Sequence, residues 1–273
     1  MLDHLLTEDR RLAMANQRVR ASASHYKILH ERIDYYLQAY CRFNGLDATQ
    51  VLAHYEHFAR RYNQHQKQYQ QSRLYPYQYE AAAKVDRVEY DIALILSCIS
   101  SVPRFGILQQ LQTWLASHQP QQLCVIGAGA GIELALMQTC LPRAQVSAYD
   151  PELNPFLRQY FPAVDFHEQL FDSRARQTFD TCLAIEVLEH LADPLAWLHQ
   201  LHDAMPASSR LLCTTASHMP QFDHLYNFLD LPAFQQQLGA MGFVIEEHRE
   251  LKSPAGFTGL PEQNDWFVLE KNR

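Results

Sequence analysis

Glu186, Glu189 and His190 form one tight group, and His218 and His224 follow within a few dozen residues. An imidazole whose unperturbed pKa lies close to neutrality is a natural proton acceptor. Upstream, residues 123–136 read as a short buried strand, a turn with glycine at every second position (Gly127, Gly129, Gly131) and an apolar helix. Glycines there let the backbone turn sharply and bring a ligand against main-chain N–H groups. A dinucleotide fingerprint places its third glycine five positions after the first, a position held here by Ile132; the third glycine is Gly131. Asp150 lies nineteen residues beyond Gly131 at the end of an expected strand. A carboxylate at that point can accept both hydroxyls of a ribose in nucleoside-binding α/β folds.

The elements that must position these residues alternate from residue 120 onward. Strands are expected at 122–126, 145–149, 164–167, 181–185 and 211–215, and helices at 132–140, 153–160, 195–205 and 232–241. Two final strands, 243–250 and 266–270, are expected to run antiparallel to each other. Asp193 and Pro194 supply a cap and a first-turn proline for the helix after strand four. Residues 1–118 read as helical throughout, interrupted by Gly45 and Gly106. One helix covers 24–41 and another begins after the capping sequence at Asp47. Residues 64–71 read as a Gln- and His-rich exposed face or loop, a helix resumes over 79–100, and Pro103 opens the next. Eleven of the fourteen tyrosines precede residue 91, with Tyr62, Tyr69, Tyr75, Tyr77, Tyr79 and Tyr90 bunched. Such phenols pack half-buried on helices or line a substrate pocket.

Composition narrows the classes. The chain has 273 residues, 47% of them hydrophobic and 19% charged, as in a soluble protein with a substantial core. The formal net charge is −7 and no block of Lys and Arg occurs, which disfavours a grip on a long phosphate backbone. None of the six cysteines forms a C-x-x-C pair, and Cys124, Cys182 and Cys213 fall in expected core strands, a usage that suits a reducing compartment. The first ten residues lack the basic and apolar regions of a signal peptide, and no run approaches a membrane span. A cytoplasmic location is therefore the expectation.

The G-x-G-x-G turn resembles motif I of the class I S-adenosylmethionine (SAM)-dependent methyltransferases. Residues 179–194, F-D-T-C-L-A-I-E-V-L-E-H-L-A-D-P, resemble that family's strand-four signature, common in small-molecule and quinone-biosynthesis members. Gly242-Phe243, opening the sixth strand, is similar to a family habit. The resemblance covers about residues 105–273. It implies an α/β fold, a Rossmann-like doubly wound and mostly parallel seven-stranded sheet. An N-terminal all-helical domain over 1–102 would act as a substrate cover for the SAM-binding domain at 103–273. It implies cofactor contacts at Gly127, Ala128, Gly129, Gly131, Asp150, Pro151, Gln169, Ile185 and Glu186, and a proton acceptor among His190, His218, His224 and Glu186. One position departs from the pattern. The family's acid two residues before the first glycine, which holds the methionine amino group, is Val125 here, and Glu133 is the nearest substitute.

Some relatives of this type bind a divalent metal through E-x-x-E-H and a later histidine. The corresponding set would be Glu186, Glu189 and His190 on one face of a helical turn, with His218 or His224 reaching over. The expectation for this chain is no resident metal. The expected reaction is methyl transfer to O, N or C of a small aromatic or amphipathic metabolite, with nucleic acid and membrane unlikely as partners and a homodimer through the N-terminal helices allowed. Three other readings stay open: a metal-assisted RNA end methyltransferase, a nicotinamide-dependent oxidoreductase, and a non-catalytic SAM-binding scaffold.

Overall fold

A computed structural model of the chain describes residues 1–23, 26–75, 86–172, 178–253 and 262–272. Seven strands form one sheet in the order β3-β2-β1-β4-β5-β7-β6. They are β1 (Gln122–Ile126), β2 (Gln145–Tyr149), β3 (Asp165–His167), β4 (Thr181–Ala184), β5 (Arg210–Ser217), β6 (Phe243–Lys252) and β7 (Gln263–Lys271). The first five pair in parallel, and β7 runs antiparallel to both β5 and β6. Helices α7 (Ile132–Cys140), α8 (Pro155–Tyr160), α9 (Pro194–Ala204) and α10 (Leu231–Ala240) make the crossovers. The mostly parallel, seven-stranded sheet read from the sequence is the sheet observed.

Alternation along the central strands splits their side chains between two cores. Leu123, Val125, Leu183, Leu212, Trp266 and Val268 face one side; Cys124, Ile126, Cys182, Cys213, Phe267 and Leu269 face the other, beneath α9 and α10. The first side is covered by the N-terminal helices α1 (Leu2–Glu8), α2 (Arg10–Ser22), α3 (Tyr26–Asn44), α4 (Ala48–Ser72), α5 (Arg87–Ser100) and α6 (Val102–His118). Their buried residues, among them Leu37, Ile95, Leu96 and Leu111, belong to the same cluster as Val125 and Leu183.

Local signals set the helix ends. Asp47 and Gln50 form a reciprocal capping box at α4. Asp86 caps α5 through the Glu89 N–H, and Ser101 caps α6 through Arg104. Ser101 is also the break at which α5 and α6 bend by 83°. Both are core helices, and no single described helix is long and apolar enough to cross a membrane.

Several expectations are corrected. Residues 64–71 are not a loop: they continue α4, with Gln64, Lys67 and Gln71 on an exposed face and His65, Gln66 and Tyr69 buried where the helix meets the segment after β5. Polar composition misled because these side chains face other polar groups across a buried contact. Strands β5, β6 and β7 outrun their expected limits because antiparallel pairing carries the ladder out to Ser217, Lys252 and Gln263. Strand β4 stops at Ala184, short of Ile185, because Glu186 turns to a φ of +53°. Residues 79–85, expected as the start of a helix, lie outside the described residues, as do Tyr77 and Tyr79.

Candidate functional site

The glycine-rich turn sits between β1 and α7 at the carboxyl edge of the sheet. Gly127, Gly129 and Gly131 have φ of +75°, +50° and +78°, a region that only glycine enters freely. A Cβ on Gly127 would come within 2.6 Å of Val187, and one on Gly131 within 2.5 Å of both Leu157 and the Tyr36 hydroxyl. A Cβ on Gly129 would meet Leu94 at 3.7 Å, an ordinary contact, so its positive φ is what calls for glycine there. Asp150, at the end of β2, accepts the Gly129 N–H on Oδ2 and the Glu152 N–H on Oδ1, each at 2.9 Å. Its carboxylate is thereby aimed across the turn. Ala128 and Ile185 are buried, Pro151 is exposed, and exposed Gln169 donates its N–H to the His167 carbonyl at 2.9 Å.

Residues of the N-terminal helices hold this turn from outside. The Tyr36 hydroxyl donates to the Ala130 carbonyl at 2.6 Å. Arg87 donates to the Gly129 carbonyl at 2.7 Å and to the Glu152 carbonyl at 2.6 Å, spanning the two loops that flank the crevice. Its Nε lies 2.9 Å from Asp91 Oδ1. The buried Asp91 in turn accepts from Tyr40 at 2.9 Å and from Asn154 at 2.8 Å. Burial pushes the Asp91 carboxyl up, opposed by Arg87.

Arg104, on α6, was not singled out by the sequence reading. Its guanidinium pairs with Glu133 in the first turn of α7, and its Nη1 is buried with no hydrogen-bond partner among the described residues. Burying an unpaired guanidinium N–H is costly, so that atom is a ready donor for an anionic ligand group. Glu133 and Glu186 supply negative charge to Arg104. A zwitterion, one end anionic and the other cationic, suits this mixed set. The residues present thus fit the methionine end of SAM, and they do so without an acid at position 125. One signal did mark Arg104: it is the only Lys or Arg between Arg87 and Arg143.

The second half of the site lies at the ends of β4 and β5. Residues Leu188–His190 form a short 3-10 turn, and the left-handed Glu186 stands outside it. Glu186 therefore does not share a face with Glu189 and His190, as helical spacing had led us to expect. Its Oε1 accepts from Thr214 at 2.9 Å and Asn264 at 2.8 Å, and burial raises its pKa. His218 is also held elsewhere: its Nδ1 lies 2.9 Å from the Tyr69 hydroxyl, which accepts from Asn227 at 2.9 Å. Burial lowers the His218 pKa, with Arg73 acting in the same sense.

Glu189, His190 and His224 do converge, each offering a ligand-type atom within 4.8 Å of the others. The rings of His190 and His224 meet edge to face at 4.9 Å. Glu189 is fully buried with neither oxygen partnered among the described residues, and burial, then the Glu186 charge, drives its pKa well up. Protonation relieves that buried carboxyl without a cation. His224 is buried and its pKa falls to about 3, first from burial and then from His190. The four-residue metal set of Glu186, Glu189, His190 and His218 is not assembled here; Glu189 and His190 meet His224 instead.

The described tyrosines of the N-terminal bunch are hydrogen-bonded. Tyr62 donates to Glu262 at 2.6 Å, Tyr75 accepts the Met219 N–H at 3.2 Å, and Tyr90 donates to Asp223 at 2.8 Å. Each ties the helices to the segment beyond β5 or before β7.

The sequence matches the methyltransferase-domain family over residues 107–266, more than half of the chain. A ubiquinone biosynthesis O-methyltransferase of Ruegeria pomeroyi is 37% identical over 49 residues, 18% of this chain and 20% of that protein, so the match spans about one fifth of the relative's length. Among solved structures, the cyclopropane synthase MmaA2 of Mycobacterium tuberculosis shares the fold with a TM-score of 0.50 at 12% identity, over 62% of this chain and 84% of that one. A Burkholderia thailandensis 1,6-didemethyltoxoflavin-N1-methyltransferase, solved with 1,6-didemethyltoxoflavin and S-adenosylhomocysteine, has a TM-score of 0.49 at 19% identity, over 71% and 94%.

Proposed function

The chain belongs to the methyltransferase-domain family, and we propose that it moves the methyl group of SAM to an O, N or C atom of a small aromatic or amphipathic metabolite. The observation that carries the substrate reading is an aromatic group from α4, α5 and the segment after β5 that is joined to His190 through Asp223. Tyr90 lies 6.3 Å from Phe58 and 6.2 Å from Phe222, ring to ring, and Phe58 lies 6.3 Å from Phe222. Walls of this kind suit a compact ligand with a flat apolar part. The net charge of −7 argues against an RNA end. Family membership sets the oxidoreductase reading aside.

SAM supplies an electrophilic methyl group on a sulfonium. The chain's own task is to align an acceptor in line, exclude water and take a proton where the acceptor is a hydroxyl or protonated amine. In this reading Gly129 and Asp150 hold the adenosyl end, and Arg104 with Glu186 or Glu133 holds the zwitterion. His190 is the proton acceptor. Its Nδ1 lies 3.1 Å from the Asp223 carbonyl oxygen. A carbonyl can only accept, so Nδ1 carries the proton and Nε2 keeps a lone pair. His218, bonded to Tyr69, serves the wall, and His224 stays neutral at physiological pH.

A thermal-shift panel tests the donor: SAM and S-adenosylhomocysteine should raise the melting temperature, and NAD should not. A panel of small phenols, catechols and amines with isotope-labelled SAM then tests the acceptor class. Stabilisation by NAD alone would overturn the donor assignment. Transfer to RNA but to none of the small acceptors would overturn the substrate class.

A further inference from the structure

Helix α5 reaches both halves of the site from one face. Arg87 and Tyr90 are three residues apart, a spacing that puts two side chains side by side. Arg87 spans the two loops at the crevice, and Tyr90 reaches Asp223 in the segment after β5. Asp223 Oδ2, the atom that accepts the Tyr90 hydroxyl at 2.8 Å, lies 3.5 Å from His190 Nδ1. The Asp223 carbonyl is 3.1 Å from the same nitrogen, and its Oδ1 has no partner among the described residues.

The geometry points to Tyr90 and Asp223 as positioning residues for His190: the phenol orients the Asp223 carboxylate, and Asp223 fixes the imidazole as the Nδ1–H tautomer with Nε2 toward the substrate side. This rests on the reading of His190 as proton acceptor. A phenylalanine at position 90 would keep the packing with Phe58 and Phe222, so packing alone does not call for the hydroxyl. The Tyr90 phenol is partly buried, and its pKa stands well above the ordinary value, first through burial and then through the Asp223 charge. It therefore stays a donor across the working pH range. It also draws on the carboxylate's charge, leaving less to stabilise an imidazolium. The groups around His190 are Tyr90 from α5 by way of Asp223, Asp223 and His224 from the segment after β5, Glu189 from its own turn and Glu186 just before that turn, with Arg104 beyond them on α6.

The test needs no methyl acceptor. In the full-length chain labelled with nitrogen-15 histidine, the His190 signals are identified by their loss in His190→Gln. Neutral His190 should be the Nδ1–H tautomer. Asp223→Asn should lower its titration midpoint by about one pH unit, because it removes a neighbouring negative charge. Tyr90→Phe should move the midpoint the opposite way, by roughly half a unit, because the carboxylate recovers charge. A purely structural contact would change the melting temperature without moving the two midpoints in opposite directions. If Asp223→Asn fails to fold, the upward shift in Tyr90→Phe still decides. An Nε2–H tautomer in the wild type, or a His190 midpoint unmoved in the variants, would overturn the proposal. SAM affinity, measured on the same samples by calorimetry, reports separately on the donor site; its absence beside the expected shifts would count against the methyl-transfer reading alone.

Discussion

Asp150 has two partners before any ligand arrives. By accepting the Gly129 and Glu152 N–H groups it ties the glycine turn to the loop after β2, and in the proposed reading its remaining lone pairs take the ribose hydroxyls. Asp150→Ala should weaken SAM binding by about 2 kcal/mol, roughly thirty-fold, through loss of a charged acceptor. Gly129→Val should abolish binding, since it combines a φ of +50° with a side chain in the approach path. Calorimetry checks both, and unchanged affinity in the two variants would remove the cofactor assignment. At this scale the sequence is legible where backbone conformation demands a residue type: all three glycines have positive φ. Arg104 was illegible in its role because its partner Glu133 lies on another helix. Only its isolation among apolar residues marked it.

Elements carry the second lesson, in the segment that runs from β5 toward α10. The Glu189 carbonyl accepts the Leu225 N–H at 2.7 Å and the Tyr226 N–H at 3.0 Å, locking this segment onto the 3-10 turn and burying His224 beneath it. Folded His224 takes a proton only near pH 3, whereas an unfolded histidine takes one near its ordinary value of 6.5. Its stabilising contribution is present above pH 6.5 and is lost as the pH falls toward 3. Glu189 has the opposite sign: its raised pKa gives a contribution that is full below 4.5 and lost as the pH climbs. Between pH 6.5 and 4.5 the wild type should therefore lose more melting temperature than His224→Gln, measured by scanning calorimetry. Equal slopes would mean that His224 is solvated in solution. None of this was legible in a lone histidine after a strand, since spacing cannot tell an overhanging loop from one pinned down by a carbonyl.

For the whole molecule, the α/β alternation and the order of the functional stretches were readable because each strand and helix carries its own period and caps. How the N-terminal helices relate to the sheet was not, because that depends on contacts between distant segments. The buried cluster that contains Leu37 and Ile95 also contains Val125 and Leu183. Heat should consequently unfold the chain in one calorimetric transition, and removal of residues 1–100 should leave an insoluble remainder with the β1 and β4 face bared. Two separate transitions, or a soluble remainder that binds SAM normally, would contradict this.

Tyr36 and Arg87 hold the carbonyls of Ala130 and Gly129, so the N-terminal helices are part of the glycine turn's own scaffold. Recombination is constrained accordingly. A helical region borrowed from another methyltransferase to change acceptor preference would have to bring a phenol and a guanidinium to these same two carbonyls. Otherwise the graft would exchange its new specificity for a loosened turn. On the proposed substrate reading, acceptor preference would be changed by replacing residues such as Phe58 and Phe222 with the helices kept whole.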